Sequence, residues 1–131
     1  MSSEKKYLKP PAFLSKFINP LIVTFHLLPI LSVVGRKTGK IIRTPIFPFM
    51  YKGKTYLVAP RGETQWVRNL RITKKGTIMT FANTREFRAE EIAGKLRSDI
   101  VTAYRKKTKI AESEFAAIPD PADHPTFKVN L

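Results

Sequence analysis

The chain has 131 residues, of which 43% are hydrophobic, so it is long enough to bury a core within one domain. It has no cysteine, which excludes a disulfide framework, a thiolate nucleophile and a cysteine-ligated metal. The net charge is +14, and residues 1–75 hold 15 Lys and Arg against two Glu, a net of +13, so this half attracts anionic partners.

The N-terminal region starts with a polar arm and continues with an apolar segment. We expect residues 1–11 to form a flexible basic arm ahead of a single domain over residues 12–131. From Ala12 to Val34 the only charged residue is Lys16, but two prolines interrupt the segment. This favours an N-terminal helix that packs on the domain, or lies on a membrane surface, over a membrane span.

The following residues have the apolar pattern of strands. The sequence favours strands over Ile30–Val34, Ile41–Tyr51 and Thr55–Ala59. Two prolines in the second of these runs place part of it at a sheet edge or a bulge. The segment Lys52-Gly53-Lys54 is typical of a tight hairpin turn before the third strand.

The rest of the chain alternates between helical and strand patterns. Trp66 and Leu70 lie one turn apart, which predicts a short helix over Glu63–Ile72. Later elements are predicted as a hairpin of Thr77–Ala82 and Glu86–Ile92, a helix over Lys95–Lys109, and a last strand over Phe127–Leu131. The sum is an α+β fold, mainly antiparallel β with two or three helices, arranged as a small barrel.

A basic loop bounded by glycines follows the first strand, with the sequence GRKTG at residues 35–39. Gly35 and Gly39 allow the backbone to curl and to turn its N–H groups inward as a cradle for an anion, and Arg36, Lys37 and Thr38 add charge and donors. Arg43, on the next strand, suits a bidentate contact to phosphate or carboxylate. The spacing is not that of a Walker loop. On spacing alone, a simple hairpin turn with solvated basic side chains stays an open alternative.

A second element able to bind anions begins at Gly62, directly before a predicted helix. A helix N-terminus carries unpaired N–H groups and partial positive charge, which suit a phosphate or a ring carbonyl. Trp66 and Asn69 lie on nearly one face of this helix. Trp66 is also consistent with a plain core anchor, and Asn69 with a loop cap.

The usual sets of catalytic side chains are missing from the sequence. The two histidines, His26 and His124, are interpreted as structural. The pair Glu90-Glu91 points to opposite faces of a strand, so the two carboxylates cannot act together. No catalytic side chain or metal ligand is assigned, which favours chemistry carried by a cofactor.

Three segments together give the chain a family resemblance: VVGRKTGK-IIRTP, YLVAPRGETQWVRNLR and ADHPTFKV. From about Leu14 onward the chain resembles the deazaflavin-dependent nitroreductase family. That resemblance implies a split β-barrel related to FMN-binding flavoproteins. It also implies coenzyme F-420, a phosphate-bearing deazaflavin with an acidic tail, and hydride transfer to a quinone or nitroaromatic acceptor.

The resemblance also implies roles for individual residues. The basic loop and Arg43 would hold the phosphate and the acidic tail, and Pro60–Gly62 would line the ring edge. The helix start at Thr64–Trp66 would face the ring or its linker, with the acceptor near the N-terminal helix and Tyr104. The implied cofactor-binding residues are Gly35, Arg36, Lys37, Thr38, Gly39, Arg43, Pro45, Ala59, Pro60, Arg61, Gly62, Trp66 and Asn69.

Several alternatives remain beside this interpretation. An FMN or haem-related binder of the same fold, or a non-catalytic carrier of the cofactor, would use similar residues. A nucleic-acid module fits the charge, but the aromatic residues alternate as in a strand core, so nucleic acid is disfavoured as a partner. We expect a cytoplasmic protein, with peripheral membrane contact and a homodimer as further expectations.

Overall fold

The computed structural model describes residues 29–109 and 111–131. The expected basic arm over residues 1–11, the apolar segment up to residue 28 and His26 lie outside these ranges. The strands are β1 (Ile30–Val34), β2 (Ile41–Pro45), β3 (Phe49–Tyr51), β4 (Lys54–Val58), β5 (Lys75–Met79), β6 (Thr84–Ile92) and β7 (Thr126–Val129). The helices are α1 (Gln65–Thr73), α2 (Gly94–Thr108), α3 (Glu112–Ala117) and a 3-10 turn at Pro121–Asp123.

The seven strands form one sheet in the order β2-β1-β5-β6-β7-β4-β3, and every pair is antiparallel. Strand β6 is shared between the two halves of this sheet. Its first part, Thr84–Arg88, pairs with β5, and its second part, Ala89–Ile92, pairs with β7. The predicted fold class, α+β of the split-barrel type, is therefore confirmed. In the described part of the chain, no helix has the length and apolar character of a membrane span.

The predicted single strand over Ile41–Tyr51 is wrong, because the chain forms two strands there. β2 ends at Pro45 and β3 begins at Phe49, and they lie at opposite edges of the sheet. Between them the amide of Ile46 donates to the carbonyl of Pro29 at 3.0 Å. Pro45 and Pro48 have no N–H for a continuous ladder, so the run breaks and each piece takes an edge.

The predicted hairpins form, but their boundaries shift. Lys52 and Gly53 both have positive φ angles, 49° and 79°, as a two-residue hairpin turn between β3 and β4 requires. The strand predicted over Thr77–Ala82 instead occupies Lys75–Met79. Phe81 lies in the turn and is 90% exposed, so this apolar side chain is not part of a strand or of a core in the described chain. Helix α3 was not predicted, because its six residues are too few to show a period.

Strand β4 separates two hydrophobic cores. Its Leu57 packs into a core beneath α1, and its neighbours Tyr56 and Val58 pack into a second core beneath α2 and α3. The first core contains Leu31, Val33, Ile46, Leu57, Ala59, Trp66, Val67, Leu70, Ile78, Phe87, Phe127 and Val129. Because β4 is packed on both faces, its C-terminal end is held in place, and so is the start of the segment that follows it.

His124 fixes the end of β4. The side chain is fully buried, and its two ring nitrogens face the carbonyl oxygens of Ala59, at 2.9 Å, and Ile118, at 2.5 Å. The amide of Ala59 in turn donates to the carbonyl of Pro125 at 3.0 Å. Both polar groups of the Ala59 backbone are thus held by the segment before β7, which sets the direction in which the chain leaves β4.

Replacing His124 with Ala should lower the free energy of unfolding by about 3 kcal/mol, since the carbonyls of Ala59 and Ile118 lose their contacts with the imidazole and a cavity remains. Denaturant unfolding followed by Trp66 fluorescence measures the change. Lys106→Ala, at an exposed position of α2, serves as the control. A loss for His124→Ala no greater than that of the control would contradict the assigned role.

Candidate functional site

The basic loop over residues 35–39 is the connection of the β1–β2 hairpin. The amide of Gly35 donates to the carbonyl of Lys40 at 2.7 Å, and the amide of Gly39 donates to the carbonyl of Gly35 at 2.9 Å. The amide of Lys40 donates to Oγ1 of Thr38 at 3.2 Å. Gly39 has a φ of +74°, which explains why a glycine stands there. The expected cradle of inward N–H groups is therefore largely used inside the loop, and its exposed side chains remain for an anion.

Arg36 joins this loop to helix α1. Its backbone N–H donates to Oδ1 of Asn69 at 3.0 Å, and its Nη1 donates to the same oxygen at 2.8 Å. Nη1 also donates to Oε1 of Gln65 at 3.0 Å. Asn69 is only 3% exposed, so the two hydrogen bonds to its Oδ1 are partly shielded from water, whereas the bond to Gln65 is exposed. The basic loop and the start of α1, which the sequence analysis identified as two separate elements, thus form one surface.

The segment from Ala59 to Thr64 turns the chain from β4 into α1. Gly62 has a φ of +85°, and its amide donates to the carbonyl of Ala59 at 3.2 Å. The amide of Thr64 donates to the carbonyl of Gly62 at 2.7 Å. Helix α1 then begins at Gln65 with Thr64 as its N-cap residue, but the Thr64 side chain does not cap it. The first turn of α1 therefore carries the partial positive charge of a helix start without a hydrogen bond from its N–H groups to the N-cap side chain.

Two buried polar atoms in this segment test whether a phosphate-bearing cofactor fits. Among the described residues, Oγ1 of Thr64 and Nε of Arg61 are the buried side-chain nitrogen or oxygen atoms without a hydrogen-bond partner. Thr64 is only 4% exposed, and unpaired buried groups of this kind are rare in proteins. Both are donors and lie next to the helix N-terminus, so the site is suited to an acceptor-rich ligand such as a phosphate or a ring carbonyl.

An ion-pair network beside the site was not predicted. Arg71 binds Glu63 through Nη1 and Nη2, both at 2.8 Å, and Glu91 through Nε at 2.7 Å and Nη2 at 2.8 Å. The hydrogen bonds that the guanidinium donates to the carboxylates of Glu63 and Glu91 raise the pKa of Arg71 above its ordinary value. Glu63 and Arg71 are eight residues apart and Glu91 lies on β6, so no local spacing could have indicated the network.

The other predicted residues occupy three kinds of position. Arg43 is exposed on β2, opposite Ser32, and Pro45 ends that strand. Trp66 is 8% exposed and packs on Phe127 with ring centroids 6.0 Å apart, as a core anchor does. Pro60 and Arg61 are half-buried in the β4–α1 segment.

Tyr104, which was expected near the acceptor, lies in the second core. It is only 3% exposed, and its ring centroid is 5.4 Å from that of Phe49 and 5.9 Å from that of Phe115. Burial raises the pKa of its phenol. Tyr104 therefore supports the packing of α2 and offers no open surface to an acceptor.

The fold of the chain is similar to that of several solved structures. A structure described as a domain-swapped dimer has 17% sequence identity and a TM-score of 0.59, with 78% of each chain covered. An F-420-dependent reductase, FDR-A, has 18% identity and a TM-score of 0.58, with 78% of this chain and 92% of that chain covered. The haem storage protein HutZ from Vibrio cholerae has 14% identity and a TM-score of 0.58, with 85% and 87% covered. At these identities the likeness shows a shared fold alone.

The sequence itself supplies the family. No curated protein sequence matched the chain. The family model described as F420H(2)-dependent quinone reductase matches residues 20–114, which is well over half of the chain and contains the basic loop, the β4–α1 segment and α1. The chain therefore belongs to the F420H(2)-dependent quinone reductase family.

Proposed function

We propose that this chain binds reduced coenzyme F-420 across the β1–β2 loop and the start of α1, and that it reduces a quinone. The observation that carries the proposal is the contact of Arg36 with Asn69 and Gln65. It places a loop rich in positive charge against a helix N-terminus, so one ligand can reach both. Family membership supports the choice of a deazaflavin.

In this proposal, different residues bind different parts of the cofactor. The exposed side chains of Lys37, Thr38 and Arg43 bind the phosphate and the acidic tail through charge-assisted hydrogen bonds. The Thr64 hydroxyl and the first-turn amides of α1 donate to acceptors on the ring or its linker. Arg36 orients the loop, since its guanidinium is already engaged with α1.

The protein's contribution to the reaction is positioning and electrostatics. When bound, reduced F-420 supplies the hydride. Residues of the β4–α1 segment hold the ring edge. The excess of Lys and Arg in residues 1–75 stabilises the negative charge that develops on the acceptor. No general acid is required of the protein, because solvent can protonate the reduced acceptor.

We extend the proposal to nitroaromatic acceptors, which are conjugated electrophiles like quinones. Both classes can accept a hydride at a ring held face to face with the cofactor. We also propose a cytoplasmic homodimer that contacts membranes peripherally. The similarity to a domain-swapped dimer supports a homodimer, and quinones dissolved in lipid are a reason for membrane contact.

Removing charge from the loop should weaken cofactor binding. The double variant Lys37→Gln/Arg43→Gln should raise the Kd for F-420 by about 30-fold, since two charge-assisted contacts are lost. Quenching of Trp66 fluorescence reports the titration. The matched control is Lys106→Gln/Lys107→Gln, which removes two exposed charges from the end of α2. Equal Kd values for the two double variants would contradict the assignment.

The Thr64 hydroxyl provides a sharper test, because it lacks a partner in the described chain. Thr64→Val should raise the Kd for F-420 by about fivefold while increasing the free energy of unfolding by about 1 kcal/mol. The matched control is Thr126→Val, whose hydroxyl donates to the carbonyl of His124 at 3.1 Å and is fully buried. That variant should be destabilised instead. A destabilised Thr64→Val with unchanged cofactor affinity would contradict the site.

The choice of cofactor and acceptor can be tested with the purified protein. F-420 should bind more tightly than FMN, because FMN lacks the acidic tail that the loop charges would bind. Reduced F-420 should be oxidised on addition of menadione, and more slowly on addition of a nitroaromatic. Tighter binding of FMN would overturn the deazaflavin assignment, and binding without oxidation by either acceptor would indicate a carrier.

A further inference from the structure

The N-terminus of α1 has an acidic side chain directly beside it. Glu63 precedes the N-cap residue Thr64, and its side chain is 7% exposed. A carboxylate at this position is well placed to interact with the partial positive charge of the helix start. Its negative charge would then repel the acceptor-rich ligand that the proposed function places there.

Arg71 forms an ion pair with this carboxylate. It lies in the last turn of α1, two turns after Glu63, and its guanidinium takes both oxygens of Glu63 at 2.8 Å. Glu91 on β6 binds the same guanidinium at 2.7 and 2.8 Å, so Arg71 is fixed against the sheet. Four of the five guanidinium N–H groups are used, which leaves little freedom to reorient.

We propose that Arg71 is a positioning residue that holds the Glu63 carboxylate in an ion pair and offsets its charge beside the α1 N-terminus, which keeps that end suited to an anionic ligand. The inference rests on the proposed function, since it concerns the same site. It assigns a role to three residues, Glu63, Arg71 and Glu91, that neither the basic loop nor the helix start includes.

Two further observations support a role beyond simple stabilisation. Thr64, the residue next to Glu63, is buried with its hydroxyl unpaired, so the helix end is uncapped by its own N-cap side chain. The Glu63 carboxylate next to it accepts from Nη1 and Nη2 of Arg71, so its charge is offset within the protein. A ligand that accepts from the Thr64 hydroxyl would therefore meet a carboxylate that is already ion-paired.

A mutant cycle tests this role. Arg71→Met should raise the Kd for F-420 by about tenfold, since the Glu63 charge is then no longer offset near the ligand. Glu63→Gln should bind F-420 at least as tightly as the natural protein. The double variant Arg71→Met/Glu63→Gln should restore binding to within about twofold of the natural Kd. Rescue by a second substitution is not expected if Arg71 only supports the fold.

The control for a general loss of stability is Arg105→Met. Arg105 forms a similar multidentate pair with Glu112, far along the chain on α2 and α3. Its removal should leave the Kd for F-420 unchanged. Inorganic pyrophosphate, titrated as a competitor of F-420, should lose affinity in Arg71→Met and regain it in the double variant, which gives a readout independent of turnover.

The outcomes separate this inference from the proposed function. If the natural protein does not bind F-420, the proposed function fails. If it binds and Arg71→Met binds equally well, or if Glu63→Gln weakens binding as much as Arg71→Met, the positioning role is overturned. Should Arg71→Met fail to fold, Glu63→Gln and the double variant still decide, because weakened binding in both would contradict the inference.

Discussion

The candidate site depends on the hydrogen bonds between Arg36 and Asn69. A basic loop on a hairpin and a helix start after another strand are each common, and neither forms a binding site alone. The buried amide oxygen of Asn69 accepts from both the backbone and the side chain of Arg36, so it fixes the loop's position and the direction of one of its charges. Because Asn69 is 3% exposed and both bonds are part-buried, water competes less for them than for hydrogen bonds on the open surface.

This link also explains why Arg36 and Lys37 have different roles despite being adjacent cations. Arg36 is half-buried and satisfied by α1, so its charge contributes to the field of the site more than to direct contacts. Lys37 is exposed and can follow a flexible anionic group. A rigid cation beside mobile ones is suited to a ligand with a fixed ring and an extended charged part. The same fold occurs in a haem storage protein and in an F-420-dependent reductase. The cofactor is therefore selected by local chemistry of this kind and not by the architecture.

Much of this arrangement could be predicted from sequence, because it follows local rules. β1 matched its predicted bounds, and α1 and α2 were placed within two residues at each end, since apolar periodicity reports burial directly. The break at Pro45–Pro48 was misjudged, because proline excludes a central ladder but does not say that the two pieces go to opposite edges. The loop's amides were expected to face a ligand, yet Gly35 and Gly39 use theirs to close the hairpin, which sequence spacing does not reveal.

The contacts that set the exit from β4 could not be predicted, because they join residues distant in the chain. The Ala59 backbone is held by His124 and Pro125. At the other end of the same short segment, Glu63 is held by Arg71, which Glu91 anchors to β6. Arg61 lies between these two attachments and Thr64 directly follows the second, and both have a buried donor without a partner among the described residues. A chain fixed at both ends can keep such donors unsatisfied, since the backbone cannot relax to pair them. The β4–α1 segment is therefore held by the residues before β7 and by β6, while the donors available to a ligand lie at the start of α1.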